Sequence, residues 1–288
     1  MKARKQFVKM LEEPGGIILP GAPDALAAKI IENVGFRALF TTGYGTSATV
    51  LAQPDRGLLD YKEMVERASQ VAEAVDIPVF ADADTGYGGV LNVQQTVKGF
   101  EKSGVAGIFI EDQVWPKRCG HMEGKDVIAE DEFLAKLEAA LDAREDEDFK
   151  IMARTDIRAV EGLEAAIERG KRCKEIGIDL LFIEAPQTKE ELKIIGDEFP
   201  DIPLMANMIE HGKTPILNKE ELEELGYKII VWPLSVLYAS ARGMYKVLSS
   251  LKENGETEEV MDELMPFDKF NEMIGLDEIQ ELEDKYSN

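Results

Sequence analysis

The feature that most constrains this fold is a repeated joint, in which a charged helix end is followed by a Gly and then by a short apolar run. Gly just past a helix adopts the left-handed conformation that ends it, and a β-branched apolar run predicts a strand buried on both faces. The four copies place Gly35, Gly104, Gly177 and Gly226 directly before residues 36–42, 105–111, 178–184 and 227–233.

Four further segments complete a regular alternation of strands and helices. Asp-Ile-Pro at 76–78 and at 201–203 precedes the predicted strands 79–84 and 204–207, and residues 16–20 and 149–155 add two more. Eight strand–helix units predict an α/β protein, a (β/α)8 TIM-type barrel over residues 1–252. A doubly wound sheet is the alternative, but no Gly-rich phosphate fingerprint follows the first strand. An acidic helical extension is expected over residues 253–288.

The charge balance excludes several kinds of partner. The 288 residues include 33 Lys and Arg against 56 Asp and Glu, a net charge of −23, which disfavours nucleic acid and anionic membranes. No apolar run is long enough to span a membrane or to act as a signal peptide. With two cysteines in a chain of this length, we expect no disulfide framework and a cytoplasmic protein.

Polar residues stand where the predicted strands end, which is where such barrels carry their chemistry. They are Thr42, Gly43, Tyr44, Asp82, Asp84, Glu111, Asp112, Arg154, Asp156, Glu184 and Asn207. A single Asp after a strand most often caps the next helix. Converging carboxylates repel one another unless a cation is present, and oxygen ligands without nearby His or Cys favour Mg²⁺, with Mn²⁺ possible. Asp82 and Asp84 lie on one side of an extended strand, which suits one ion.

Two other residues carry candidate chemistry. Arg154 could grip a substrate carboxylate or phosphate, although a structural salt bridge to Glu111 or Glu184 explains it equally well. Cys119 stands between Arg118 and His121, cations that would favour its thiolate and make it an acid or a nucleophile near neutral pH. Cys173, inside a predicted helix, is better explained as a small buried hydrophobe.

The motifs themselves resemble those of the isocitrate lyase/phosphoenolpyruvate mutase superfamily over essentially the whole chain. They are residues 20–25 (PGAPDA), 42–44 (TGY), 81–88 (ADADTGYG), 110–113 (IEDQ), 117–121 (KRCGH) and 153–156 (ARTD). The resemblance implies that Asp82 and Asp84 hold Mg²⁺, with Asp55 and Glu111 joining through waters. It implies a substrate surrounded by Thr42, Gly43, Tyr44, Cys119, Gly120, His121, Arg154, Glu184 and Asn207, with Cys119 as general acid.

The resemblance also implies a homotetramer in which the last helix is exchanged between subunits. The apolar residues Met265, Phe267, Phe270, Met273 and Ile274 of the acidic tail agree with such docking, or with a cover for the barrel of the same subunit.

Comparison with the family pattern narrows the range of expected substrates. Cys119 indicates the lyase branch rather than the phosphorus–carbon enzymes, which lack that Cys. Tyr238 and Phe267 stand where methylisocitrate lyases have Arg, and Pro233 stands where oxaloacetate-cleaving members have Ser. The resemblance therefore implies Mg²⁺-dependent cleavage of a dicarboxylate such as 2,3-dimethylmalate to pyruvate and propionate. The alternatives are oxaloacetate hydrolysis, methylisocitrate cleavage and a metal-binding barrel without catalysis.

Overall fold

The computed structural model describes residues 2–287. Its eight strands are β1 (Ile17–Pro20), β2 (Leu39–Thr41), β3 (Val79–Asp82), β4 (Gly107–Glu111), β5 (Lys150–Thr155), β6 (Leu180–Ile183), β7 (Leu204–Asn207) and β8 (Tyr227–Trp232). The α-helices are α1 (Lys2–Glu12), α2 (Ala25–Val34), α3 (Gly43–Leu51), α4 (Tyr61–Glu73), α5 (Val90–Lys102), α6 (Glu130–Ala143), α7 (Arg158–Glu161), α8 (Leu163–Glu175), α9 (Lys189–Glu198), α10 (Lys219–Glu224), α11 (Ser235–Asn254), α12 (Phe267–Met273) and α13 (Leu276–Tyr286). A 3₁₀-helix, Glu258–Glu263, lies between α11 and α12.

All eight strands are parallel and follow one another around a nearly closed barrel. β1 pairs with β8, and the remaining strands run in chain order back to β2. A single parallel bridge between Gly21 and Phe40 joins the β1 and β2 sides. The predicted barrel is confirmed, and the doubly wound sheet is excluded because its strand order would reverse at a switch point.

The four glycine joints adopt the predicted geometry. Gly35, Gly104, Gly177 and Gly226 have φ values of 100°, 91°, 87° and 89°, the left-handed region that an L side chain disfavours. The strands themselves are shorter than predicted. β2 ends at Thr41 because the Thr42 side chain accepts a hydrogen bond from Gly45 N at 2.7 Å and caps α3.

Two apolar layers hold the barrel together, and the inner one supports the site. Phe7 and Met10 of α1 close the N-terminal end of the barrel, with the Phe7 ring 5.6 Å from that of Phe80. Near the opposite end, Phe109 packs against Phe40 and Phe182 at centroid distances of 5.9 and 6.0 Å. These three rings form the floor of the barrel mouth.

The C-terminal helices leave much apolar surface uncovered. None of the residues of α11 is buried, and Tyr245 and Phe267 are 78% and 81% exposed. The exchange of helices between subunits stays a prediction. No helix within residues 2–287 is both long enough and apolar enough to cross a membrane.

Candidate active site

The strand ends converge on one cavity at the C-terminal mouth of the barrel. Its volume is about 50 Å³. Of the thirteen residues that the resemblance assigned to the site, nine line this cavity: Thr42, Tyr44, Asp55, Asp82, Cys119, Gly120, Arg154, Glu184 and Asn207. The other four lie beside it: Gly43 contacts Asp82, Asp84 contacts Lys117, Glu111 contacts Arg154, and His121 contacts Glu184.

The end of β3 and the start of α3 build the carboxylate cluster. The Asp82 carboxylate accepts hydrogen bonds from Gly43 N and from Asp84 N, both at 2.9 Å. A Cβ at position 43 would lie 2.8 Å from Asp82 Oδ2, so any larger residue there would displace the carboxylate. Asp84 itself has φ of 47°, an uncommon value for a residue with a side chain. The chain thus bends sharply to bring both carboxylates to the mouth.

Lys117 is the charged partner of this cluster, and sequence reasoning missed it. Its Nζ lies 2.8 Å from Asp55 Oδ2 and 2.6 Å from Asp84 Oδ1. Burial opposes the charge, but Asp84 and Asp55 outweigh it and raise the pKa of Lys117 well above its usual range. The sequence did contain a signal for this role, because Lys117 stands in the loop after the strand that ends at Glu111. A barrel mouth lined by several carboxylates needs cations nearby.

The carboxylates still outnumber this partner. Burial raises the pKa of Asp84 to about 7, with Lys117 opposing and Asp82 and Asp55 adding to the shift. Burial likewise raises the pKa of Glu111 well above its usual range, although Arg154 opposes it. Neither Glu111 oxygen accepts a hydrogen bond.

This excess of buried carboxylates fits a hard divalent cation held by few protein ligands. Within residues 2–287, no group of three or more His, Cys, Asp or Glu side chains is arranged to hold a metal directly. Mg²⁺ commonly uses one or two carboxylates and fills its octahedron with water and substrate, so the arrangement suits it.

Arg154 joins the cluster to the opposite wall of the mouth. Its Nε lies 3.3 Å from Glu111 Oε2 and its Nη2 lies 3.2 Å from Glu184 Oε2. The guanidinium lies over the rings of Phe109 and Phe182, each 5.1 Å from the centroid. Arg154 therefore makes the predicted salt bridges and also faces the cavity.

Glu184 is held as an anion on that wall. Burial opposes its charge, but Arg154 and His121 outweigh burial and hold the pKa of Glu184 well below its usual range. Asn207 donates to Glu184 Oε2 at 3.2 Å, which leaves the buried Asn207 Oδ1 without a hydrogen-bond partner. A substrate hydroxyl would satisfy that oxygen.

A buried network behind β4 and β5 holds Arg154 in place, and the sequence had not indicated it. Asp112 accepts from Thr155 Oγ1 at 2.6 Å, from Asp156 N at 2.8 Å and from Arg169 Nη1 at 2.7 Å. Asp156 in turn accepts from Arg154 Nε at 3.0 Å. Arg169, on α8, lies 57 residues along the chain from Asp112, and no local pattern pairs them.

Residues 117–126, here called the lid loop, cover the mouth and carry Cys119. The side chain of Arg118 turns away to the carbonyls of Glu123 and Gly124. Lys125 Nζ bonds Asp156 Oδ1 at 2.8 Å and ties the loop to the barrel. At Gly120 a Cβ would lie 2.5 Å from Glu184 Cδ and 2.6 Å from Arg154 Nη2, so only Gly permits this approach.

The predicted thiolate form of Cys119 was wrong. Burial raises the pKa of the Cys119 thiol to about 11, which keeps its proton at neutral pH. Arg118 and His121 do not compensate for this burial, because Arg118 faces outward and the His121 ring contacts Glu184. The side chain is thus suited to give a proton rather than to attack.

Comparison with known proteins identifies the family of this site. The model of the phosphoenolpyruvate phosphomutase family matches residues 7–252. The chain belongs to the isocitrate lyase/phosphoenolpyruvate mutase superfamily. It is 45% identical to 2,3-dimethylmalate lyase of Eubacterium barkeri, over 100% of this chain and 99% of that protein. It is 47% identical to the chloroplastic carboxyvinyl-carboxyphosphonate phosphorylmutase of Arabidopsis thaliana, over 100% of this chain and 86% of that protein.

Solved structures of the superfamily superpose over the whole chain. Oxaloacetate acetylhydrolase in complex with 3,3-difluorooxalacetate gives a TM-score of 0.95 at 32% identity, covering 100% of this chain and 98% of that one. Phosphonopyruvate hydrolase, in a complex with oxalate and Mg²⁺, gives a TM-score of 0.90 at 26% identity, covering 100% of both chains. The protein is an enzyme of the lyase and hydrolase branch of this superfamily.

Proposed function

We propose that the protein is a Mg²⁺-dependent carbon–carbon lyase acting on a 2-hydroxy dicarboxylate. A substrate such as 2,3-dimethylmalate would be cleaved between C2 and C3 to pyruvate and propionate. One observation carries the proposal: Cys119, with a thiol pKa raised by burial to about 11, lines the same cavity as Arg154 and Asp82. A protonated thiol in the same cavity as an anion-binding guanidinium suits protonation of a carbanion-like leaving fragment.

The residues of the chain then have distinct roles. Asp82 and Asp84 would hold Mg²⁺, with Asp55 and Glu111 joining through waters; the ion supplies Lewis-acid polarisation of the 2-hydroxyl and its adjacent carboxylate. Arg154 stabilises the negative charge that develops on the same oxygens. Thr42, Gly43, Gly120, Glu184 and Asn207 surround the substrate.

Two proton transfers balance the reaction. The 2-hydroxyl gives its proton to a deprotonated Tyr44 or, through a water, to the Glu111 carboxylate, and the electron pair forms the pyruvate carbonyl as the C2–C3 bond breaks. The departing enediolate of the carboxylic acid takes a proton on carbon from Cys119. Tyr44 and Cys119 both line the cavity, which supports these two roles.

The walls of the cavity support a dicarboxylate. Tyr238 borders the adjoining space, and Phe267 on α12 is 81% exposed, so neither position offers a cation to a third carboxylate. A methylisocitrate-type substrate would lose charge-assisted hydrogen bonds of about 1.5–3 kcal/mol each.

Oxaloacetate hydrolysis is the second candidate, favoured by the similarity to oxaloacetate acetylhydrolase at a TM-score of 0.95. Pro233 lines the cavity and brings no hydroxyl, which supports the lyase.

We also propose a cytoplasmic homotetramer with a barrel over residues 1–252 and a helical extension over residues 253–288. The apolar surface of α11 to α13, with Leu248 62% exposed, supports exchange of the last helices between subunits.

The test is product identification. The protein with Mg²⁺ is incubated separately with 2,3-dimethylmalate, methylisocitrate, oxaloacetate and phosphonopyruvate, and the products are identified by NMR. We expect pyruvate and propionate from dimethylmalate alone. Oxalate and acetate from oxaloacetate would establish the hydrolase instead.

The role of Cys119 is tested with a matched pair of variants. Cys119→Ala should abolish turnover while binding of Mg²⁺ and pyruvate persists, whereas Cys173→Ala, which alters a buried Cys of α8, should keep its activity. Full turnover by Cys119→Ala would contradict the general-acid role.

A further inference from the structure

A second cavity adjoins the first and is lined in part by Cys119, His121 and Met122 of the lid loop. Its volume is about 420 Å³, and both cavities share Tyr44 and Cys119. One wall is formed by residues 209–213, here called the β7 loop because they follow β7. This loop lies outside the roles proposed above, yet it contacts His121 directly.

The contact determines where the imidazole carries its proton. The backbone N–H of Lys213 donates to His121 Nδ1 at 2.9 Å. A nitrogen that accepts a hydrogen bond holds a free lone pair, so Nδ1 is unprotonated and His121 is neutral with its proton on Nε2. Nε2 lies 3.1 Å from Glu184 Oε1, a close electrostatic contact in which Nε2 does not yet make a hydrogen bond. The other tautomer would turn a lone pair towards the Glu184 carboxylate.

We propose that the β7 loop is a positioning element that holds His121 in the Nε2–H tautomer and thereby docks the lid loop on Glu184. Cys119 lies two residues before His121, so this docking places the thiol over the cavity. The catalytic meaning rests on the proposed function, but the tautomer and the docking are properties of the protein itself.

The close approach is built into the backbone at Gly212. A Cβ at this position would lie 2.4 Å from His121 Nδ1 and 2.8 Å from Cε1. His211, just before it, has φ of 62°, which turns the chain towards the lid loop. Lys213 adds a second tie through its ion pair with Glu123 at the rim. Only Gly at 212 leaves room for both the ring and the Lys213 N–H.

The electrostatics of Glu184 agree with a donor at Nε2. Glu184 Oε2 lies 3.2 Å from Arg154 Nη2 and accepts from Asn207 Nδ2 at 3.2 Å. Glu184 Oε1 accepts from the same Nδ2 at 3.4 Å and lies 3.1 Å from His121 Nε2. The β7 loop is therefore linked through His121 to the carboxylate that orients Arg154.

The first experiment reads the tautomer directly. The sequence contains two histidines, His121 and His211, so ¹⁵N-histidine NMR gives two ring systems, and the variant His211→Asn assigns them. At pH 8.5 an ordinary imidazole, with a pKa of about 6.5, is neutral. We expect a protonated Nε2 and an unprotonated Nδ1 for His121. An Nδ1–H tautomer, or averaging between the two, would overturn the proposal.

The second experiment disrupts the close contact between the backbone at Gly212 and the His121 ring. Gly212→Ala should lose the fixed tautomer and lower kcat by about 10²-fold, the scale of a displacement near 1 Å in an active site, with little change in KM. Gly89→Ala is the matched control, because a Cβ there meets nothing within 4 Å. A Gly212→Ala protein that keeps the His121 tautomer would refute the inference.

The two proposals fail separately. If no substrate is cleaved but the spectra show a fixed Nε2–H ring that Gly212→Ala abolishes, the positioning role stands and the lyase proposal falls. If dimethylmalate is cleaved while the His121 tautomers average, the reverse holds.

Discussion

Replacing Arg169 tests whether the buried network behind β4 and β5 supports the site. Arg169 and Asp112 are 5% and 0% exposed, and their side chains meet at 2.7 Å. Arg169→Met keeps most of the side-chain volume but leaves the Asp112 carboxylate with only two hydrogen bonds, from Thr155 Oγ1 and Asp156 N. We therefore expect a loss of stability and a displaced β5 end.

The size of the expected stability loss follows from the burial of the Asp112–Arg169 ion pair. Removing one partner of a buried ion pair costs about 3–5 kcal/mol, and the two remaining hydrogen bonds favour the lower end. At about 2–4 °C per kcal/mol for a domain of this size, Tm should fall by about 6–12 °C. Activity should fall as well, because Asp156 N bonds Asp112 while Asp156 Oδ2 receives Arg154 Nε at 3.0 Å.

The stability loss of Arg169→Met should depend on pH in a direction that the pKa of Asp112 predicts. Burial, followed by the charge of Asp156, already raises the pKa of Asp112 above its usual value, and loss of Arg169 raises it further. A group whose pKa is raised in the folded state destabilises that state once the pH exceeds its unfolded pKa. The Tm deficit of Arg169→Met should therefore be larger at pH 8 than at pH 5, where more Asp112 is protonated.

Calorimetry of a double-mutant cycle provides the assay. Asp112→Asn and Arg169→Met are measured singly and together, and the pair should be less harmful than the sum by about 1–3 kcal/mol. Additive effects, or a Tm change below about 2 °C in Arg169→Met, would show that the Asp112–Arg169 pair does not stabilise the folded protein as proposed.

Three other predictions concern the lid loop and the helical extension. Gly120→Ala would place a Cβ 2.5 Å from Glu184 Cδ, so kcat should fall about 10²-fold while Tm stays near that of the parent, and unchanged kinetics would contradict the close docking. Because burial raises the pKa of Cys119 to about 11, its alkylation by iodoacetamide, followed by peptide mass mapping, should keep accelerating up to about that pH, whereas a plateau near pH 8.5 would indicate an unperturbed thiol. Leu248→Glu, at a position 62% exposed on α11, should dissociate the proposed tetramer in light scattering, and an unchanged oligomer would contradict the proposed interface.

Much of the architecture could be predicted because its signals are local. A Gly after a charged helix end adopts positive φ for reasons contained within a few residues, as Gly35 and Gly104 show. Eight such strand–helix units leave few topologies open, since parallel strands need right-handed crossovers. The strand ends that carry Asp82, Arg154 and Glu184 followed from the same reasoning, because all strands of a parallel barrel end at one face.

Other features of the site could be found only in the tertiary structure, because they depend on contacts between segments that are distant in sequence. The charge of Cys119 was mispredicted from its neighbours in sequence, because burial and the orientation of Arg118 and His121 determine it. The Lys117 ion pair spans 62 residues to Asp55, and the Lys213 N–H reaches His121 across 92 residues. Electrostatic free energies depend on distance in space and on desolvation, which a chain acquires only when it is folded. The sequence alone thus determined the barrel and the residues at its mouth, and the folded packing decided which of them carry charge and which carry protons.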